Sequence, residues 1–321
     1  MSERFNLPRW WLRAVILSVI ICAFGYLGFS LWTGWRDVCD AIVKVGVLGV
    51  AISLSMSLLN YALRFIRWQM YLRTLGHRVP LLASLKIYLA GFALTTTPGK
   101  AGETLRSVLL ERWGVPYPQS FAAFFSERLS DLLAVVLLTL FGLTLYPQAG
   151  PVIVGGAALV MVSFVILSRK AVLERLVRVL EIQASKVSRL FMHLCRILLE
   201  AHRCNRLGML LLATSLSLIA WAAEALAFYW VLGWMGAEVS LAFAIFVYSL
   251  SMLAGALSFM PGGLGGAEGA MVTLLVWNGM PASDAIAATL VIRLATLWFA
   301  VAIGGSVLLR GGWEQDRRAS I

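Results

Sequence analysis

Hydrophobic positions in this chain are gathered into long blocks, and polar ones are confined to short stretches between them. Apolar runs occupy about 10–33, 47–68, 120–146, 151–167, 207–234 and 284–309. Each is close to the ~20 residues that an α-helix needs to cross the hydrocarbon of a bilayer, so six spans are predicted. The first run follows Arg4 and Arg9 and contains Arg13, a charge order resembling that of a secretory leader. A leader's apolar core is only about 7–15 residues long and ends at small residues. This run is longer and ends in Leu31-Trp32-Thr33, which predicts a retained span. The stretch 34–46, where Arg36 and Lys44 offset Asp37 and Asp40, reads as a neutral loop.

Two further apolar runs are broken. The run 81–97 meets Pro98-Gly99-Lys100-Ala101-Gly102-Glu103 before a helical pattern resumes to about Trp113. The run 241–260 meets Pro261-Gly262-Gly263-Leu264-Gly265-Gly266-Ala267-Glu268 before apolar sequence continues to Trp277. Proline and glycine at bilayer depth free backbone polar groups that lipid cannot satisfy, so such a break must be enclosed by protein or line a wet cavity. Pro98, Gly99, Gly102, Pro261, Gly262, Gly263 and Gly265 are therefore expected at the breaks of two re-entrant helical hairpins. Both breaks follow one pattern: Pro-Gly, more glycine, a glutamate, and an arginine 25 residues later, which pairs Glu103 with Arg128 and Glu268 with Arg293.

Composition agrees and adds direction. Of 321 residues, 60% are hydrophobic and 13% charged, with a mean hydropathy of +0.84, against about half and a quarter in soluble domains. A secreted enzyme, a nucleic-acid module and a disordered linker are excluded. The net charge of +11 is then a matter of topology, because cytoplasmic loops accumulate Lys and Arg. Arg4, Arg9 and Arg13 place the amino terminus in the cytoplasm, and Arg64, Arg67, Arg73 and Arg78 bring the second span back to it. Residues 169–206 carry nine Lys/Arg against three Glu, and Arg310, Arg317 and Arg318 follow the last span. A multi-pass protein of the bacterial inner membrane with both termini cytoplasmic is expected. By these charges residues 1–146 read as out, in, cytoplasmic hairpin, out, and residues 147–321 as the same four elements turned over. The predicted fold is an all-α polytopic membrane protein with an inverted repeat. The segment 169–206 is read as an amphipathic helix on the cytoplasmic surface, since Leu173, Leu176, Val177, Leu180, Val187, Leu190, Phe191, Leu194 and Leu198 recur at helical spacing. Ten of the twelve tryptophans lie near predicted span ends, as the interfacial preference of Trp leads one to expect; Trp221 and Trp298 do not.

Ionisable groups at membrane depth are costly and face a cavity or each other. Lys86, Lys100, Glu103, Arg106, Glu127, Arg128, Asp131, Glu224, Glu268 and Arg293 all fall in predicted membrane segments. The helix resuming after each break offers free N–H groups and partial positive charge at its N-terminus. Two such ends facing each other, with Arg106, Arg128 and Arg293 nearby, would suit a phosphate or carboxylate. Lys100, Glu103, Arg106, Glu127, Arg128, Asp131, Glu268 and Arg293 are accordingly the candidate substrate-binding residues. Glu103 and Glu268 have two readings: each caps N–H groups or pairs with an arginine, or one changes protonation during a transport cycle. His77, His193 and His202 have no metal-ligand spacing, the four cysteines form no CxxC, and the glycine-rich tip lacks the Lys-Ser/Thr of a phosphate loop. No enzyme activity, cofactor or metal is expected.

The stretches 98–106, 126–131 (Ser-Glu-Arg-Leu-Ser-Asp) and 261–268 resemble the lysylphosphatidylglycerol synthase transmembrane region family, also called flippase-like (UPF0104), and the likeness covers nearly the whole chain. The resemblance implies movement of lipids with charged or sugar-bearing headgroups between leaflets. The synthases that name the family carry a soluble aminoacyl-transfer domain after their membrane region; this chain ends at Ile321, so lysyl transfer is not expected. The expected function is translocation of a lipid with an anionic or phosphate-linked headgroup, such as a polyprenyl-phosphate sugar or a modified phospholipid. The alternatives are a secondary carrier for a small anionic solute and a membrane-embedded lipid-modifying enzyme. Expected partners are the lipid, the membrane and envelope-lipid biosynthetic enzymes, with no nucleic acid.

Overall fold

The computed structural model describes residues 9–97, 101–145, 151, 154–158, 161–162, 170, 174, 199, 201–258 and 260–310, and the side chains of these apart from 9–35, 37, 101–104 and 261. Among the described residues all regular structure is helical. The main helices are α1 (Arg9–Thr74), α2 (Leu81–Phe92), α3 (Ala101–Glu111), α4 (Tyr117–Leu143), α5 (Leu207–Trp234), α6 (Leu241–Leu257), α7 (Gly266–Trp277) and α8 (Ala282–Leu309). The predicted span 151–167 and the amphipathic segment 169–206 lie largely outside the described residues.

Among the described residues, three stretches are long and apolar enough to cross a membrane: Val38–Thr74 within α1, α5 and α8. The bounds of α5 coincide with the predicted span. α4 has 27 residues, about 40 Å at 1.5 Å per residue, and carries Glu127, Arg128 and Asp131 in its middle.

The stretch 34–46 is a correction. It is helical and continues α1 instead of forming a loop. Val38, Ala41 and Val45 share one face and are buried, with Ala41 and Val45 packed against Val231, Ala287 and Val291. Asp40 and Lys44 stay exposed. A balanced charge count is blind to such a face. Gly46, whose φ of +69° suits glycine, interrupts the regular winding.

Both broken runs form pairs of short helices, α2 with α3 and α6 with α7, each packed together. In the second, Pro261–Gly263 is a 3-10 turn and Gly262, Gly263 and Gly265 have φ of +64°, +70° and +82°, a region that β-carbons disfavour. In the first, α2 ends at Phe92 and turns occupy 93–96 before the helix restarts at Ala101. Pro98, Gly99 and Lys100 lie outside the described residues, and Gly102 falls in the first turn of α3 rather than in the break itself.

α1 packs along α5, α4 against α6, and α8 against α2. Glycines permit the last two approaches. A Cβ on Gly142 of α4 would stand 2.7 Å from Cα of Phe246, and one on Gly304 of α8 would stand 2.6 Å from the Leu89 carbonyl oxygen and 2.8 Å from the Phe92 carbonyl carbon. The two breaks also meet, since a Cβ on Gly262 would lie 3.3 Å from Cγ2 and 3.4 Å from Cα of Thr96. Aromatic packing by Tyr61, Trp68, Tyr71, Tyr88 and Phe92 fills one end of the core, and Phe228, Phe246, Met271 and Ile292 fill the other.

Candidate functional site

Ser53, Ser57, Asn60, Arg64, Arg67 and Tyr71 follow one another at intervals of four, three, four, three and four, so they form a single polar stripe along α1. The stripe faces inward. Ser53, Ser57, Asn60, Arg67 and Tyr71 are buried, and the Asn60 side-chain amide donates to the Ala220 carbonyl of α5 at 2.9 Å. Arg64 and Arg67, read from the sequence as part of a basic cytoplasmic flank, are inside the helix bundle; Arg73 and Arg78 are exposed. This is the largest correction to the sequence reading. Charge counting works along the chain, whereas the stripe's 3.5-residue period was the signal that could have found these two arginines.

α4 supplies the carboxylates that receive them. Arg67 donates to Oδ1 of Asp131 at 2.6 Å and to Oγ of Ser130 at 3.0 Å, and its Nη2 is 3.6 Å from Oε1 of Glu127. It also bonds the Ser217 hydroxyl of α5. Arg64 reaches Oδ2 of Asp131 at 3.2 Å and lies over the Trp221 ring. Arg128, three residues before Asp131 on α4, pairs with the same Oδ2 at 3.2 Å. Trp221, one of two tryptophans away from predicted span ends, donates its Nε1–H to Oδ1 of Asp131 at 3.2 Å.

Arg106 comes from the first hairpin and meets Glu127 at 3.1 Å. Its guanidinium sits over the rings of Tyr88, Trp68 and Phe92, with centroids 4.3, 5.4 and 5.7 Å away. Gly91 makes the room, as a Cβ there would lie 2.9 Å from Cγ of Arg106. Among the described side chains, four arginines thus converge on the two carboxylates of α4.

The second hairpin holds its own pair. Arg293 donates through Nε to Oε1 of Glu268 at 2.6 Å and through Nη2 to the Gly262 carbonyl at 3.1 Å, while Oε2 of Glu268 accepts from the Gly265 N–H at 2.6 Å. The 25-residue spacing is thus a contact here. Glu268 thus both caps the Gly265 N–H and pairs with Arg293. Glu103's side chain and Lys100 lie outside the described residues, and the described partner of Arg128 is Asp131.

Between the two sets lies Glu224 of α5, buried and accepting from the Tyr248 hydroxyl at 2.6 Å, within electrostatic reach of both Arg64 and Arg293. Just past Arg293, α8 slips into a π turn at Leu294–Trp298, where Tyr61 bonds the Thr296 carbonyl. Such turns are frequent where a helix carries function. Lys86, counted among the membrane-depth charges, is on an exposed face.

Comparison with known proteins finds relatives over most of the chain. The sequence model of the family described as the lysylphosphatidylglycerol synthase TM region matches residues 10–304. A UPF0104 membrane protein of Methanothermobacter thermautotrophicus is 24% identical, over 90% of this chain and 93% of its own length. Another, of Pyrococcus horikoshii, is 22% identical over 92% and 96%. Over 47% of this chain and 23% of the relative, it is 29% identical to the glycosyltransferase AglD of Haloferax volcanii.

Proposed function

The chain belongs to the lysylphosphatidylglycerol synthase TM region family and is a membrane protein, and from that premise we propose that it moves a lipid with an anionic, phosphate-linked headgroup between the leaflets of the inner membrane. The observation that carries this is the convergence of Arg64, Arg67, Arg106 and Arg128 around Glu127 and Asp131 within the described part of the helix bundle. Guanidinium groups bind phosphate oxygens through paired hydrogen bonds.

The inverted-repeat reading supports a transporter over a static scaffold. The pairing of elements is the same seen from either half: the last span of each, α4 or α8, lies on the first arm of the other half's hairpin, α6 or α2, and each contact is opened by a glycine. Hairpin breaks abut at Gly262 and Thr96. Repeats meeting in this way around broken helices are a recurring basis for alternating access. The relative named a glycosyltransferase makes a sugar-bearing lipid the first headgroup to assay.

The test is reconstitution of the purified protein in liposomes with labelled polyprenyl-phosphate sugar, phosphatidylglycerol and aminoacyl-phosphatidylglycerol, scoring leaflet exchange for each. Exchange of at least one, lost in Arg128→Lys, is expected. Absence of exchange for all three sinks the proposal, and product formation without exchange would favour a lipid-modifying enzyme.

A further inference from the structure

Asp131 is held as a bound anion would be. Its Oδ2 meets Nη2 of Arg64 and Nη2 of Arg128, each at 3.2 Å, and its Oδ1 accepts from Nη1 of Arg67 at 2.6 Å and Nε1 of Trp221 at 3.2 Å. Donors from three helices close on both oxygens of one carboxylate, as they would on two oxygens of a phosphate. These donors differ in freedom. Arg67 is 0% exposed and is also tied to Ser130, Ser217 and Glu127. Arg64 and Arg128 keep 13% and 33% of their side chains accessible, and the Nε–H of each has no hydrogen-bond partner among the described residues.

Resting on the headgroup reading above, we infer that Asp131 is a tethered stand-in for the ligand's phosphate. A headgroup oxygen takes the place of Oδ2 between Arg64 and Arg128, while Asp131 stays bonded through Oδ1 to Arg67 and Trp221. Arg64 and Arg128 are then the ligand-contacting pair, and Arg67 is a positioning residue. The exchange swaps one anion for another on the same donors, so the guanidinium groups are never left buried without a counter-charge, the state that is most costly in a low-dielectric interior. Release is helped by the same competition, because the carboxylate is always at hand to reclaim its donors.

The experiment titrates the full-length protein in micelles with short-chain phosphatidylglycerol, polyprenyl phosphate and inorganic phosphate by calorimetry, alongside liposome exchange of labelled phosphatidylglycerol. Asp131→Asn removes the competitor's charge while keeping its shape. It is expected to tighten binding about tenfold, the fold-change of one charge-assisted hydrogen bond, and to slow leaflet exchange. Arg64→Lys and Arg128→Lys are expected to weaken binding in the wild-type and in the Asp131→Asn background alike. Arg128→Gln, at the more accessible site, should weaken binding with an unchanged unfolding midpoint, which covers the case of an Asp131→Asn protein that does not fold. Wild-type binding that Asp131→Asn leaves equal or weaker, or arginine effects that vanish in the Asp131→Asn background, would overturn the inference while the headgroup reading stands. A wild-type protein that binds none of the three probes removes both.

Discussion

Adjacent glycines on α8 offer an internally controlled test of how closely that helix approaches the first hairpin. A Cβ on Gly304 would stand 2.6 Å from the Leu89 carbonyl oxygen and 2.8 Å from the Phe92 carbonyl carbon, whereas one on Gly305 meets nothing within 4 Å. Carbon contacts settle at about 3.5–4.0 Å, so Gly304→Ala must drive the helices apart by roughly 1 Å. The atoms in the way are main-chain atoms of α2, which cannot rotate aside. Alanine gains about 0.5–1 kcal/mol of helix propensity over glycine, and that gain is common to both variants. Their difference therefore isolates the clash, about 1–3 kcal/mol for overpacking, and backbone contact places it at the upper end. Unfolding in mixed micelles, followed by tryptophan emission, should show Gly305→Ala equal to or slightly above wild type and Gly304→Ala well below both. Equal midpoints for the two variants would refute the close packing of α8 on α2 and, with it, the symmetric pairing of hairpins and last spans.

Three further outcomes are expected. Arg67→Ala leaves Asp131 without its closest donor and should lower stability by about 3–5 kcal/mol, as for breaking a buried ion pair, while Arg73→Ala on the exposed face should stay within about 0.5 kcal/mol; equal effects in unfolding titrations would contradict the inward stripe. Glu268→Ala strips both the Gly265 cap and the partner of Arg293 and should be destabilising, whereas Glu268→Gln keeps an acceptor for the cap and, in liposomes under an imposed pH gradient, should respond as wild type does. A response lost in Glu268→Gln would return that residue to a protonation role. Arg293→Lys retains the charge but not the simultaneous bonds to Glu268 and the Gly262 carbonyl, so leaflet exchange should fall; wild-type exchange rates would show that this fork does not matter.

Some of this protein was legible along the chain because its cause is local. Runs of about twenty apolar residues identify spans whatever their neighbours do, and α5 ends where the run does. Pro-Gly-Gly at 261–263 cannot continue a helix, so the second break was legible as well. The Glu268–Arg293 contact was readable from spacing alone, since the two breaks repeat one pattern. The fate of Arg64 and Arg67 was not, because local charge counting treats every arginine near a span end as a flank. Nor could the helical face of 34–46 be inferred from a net charge of zero.

Burial is a property of what packs alongside, and here that is α4 and α5, more than fifty and more than one hundred residues away in sequence. The chain by itself determined that helices cross, where two of them break and which residues are too polar for lipid. Tertiary packing decided which of those charges meet, because only when α4 and α5 lie on the α1 stripe do Asp131 and Glu127 come within reach of guanidinium groups that would otherwise face water.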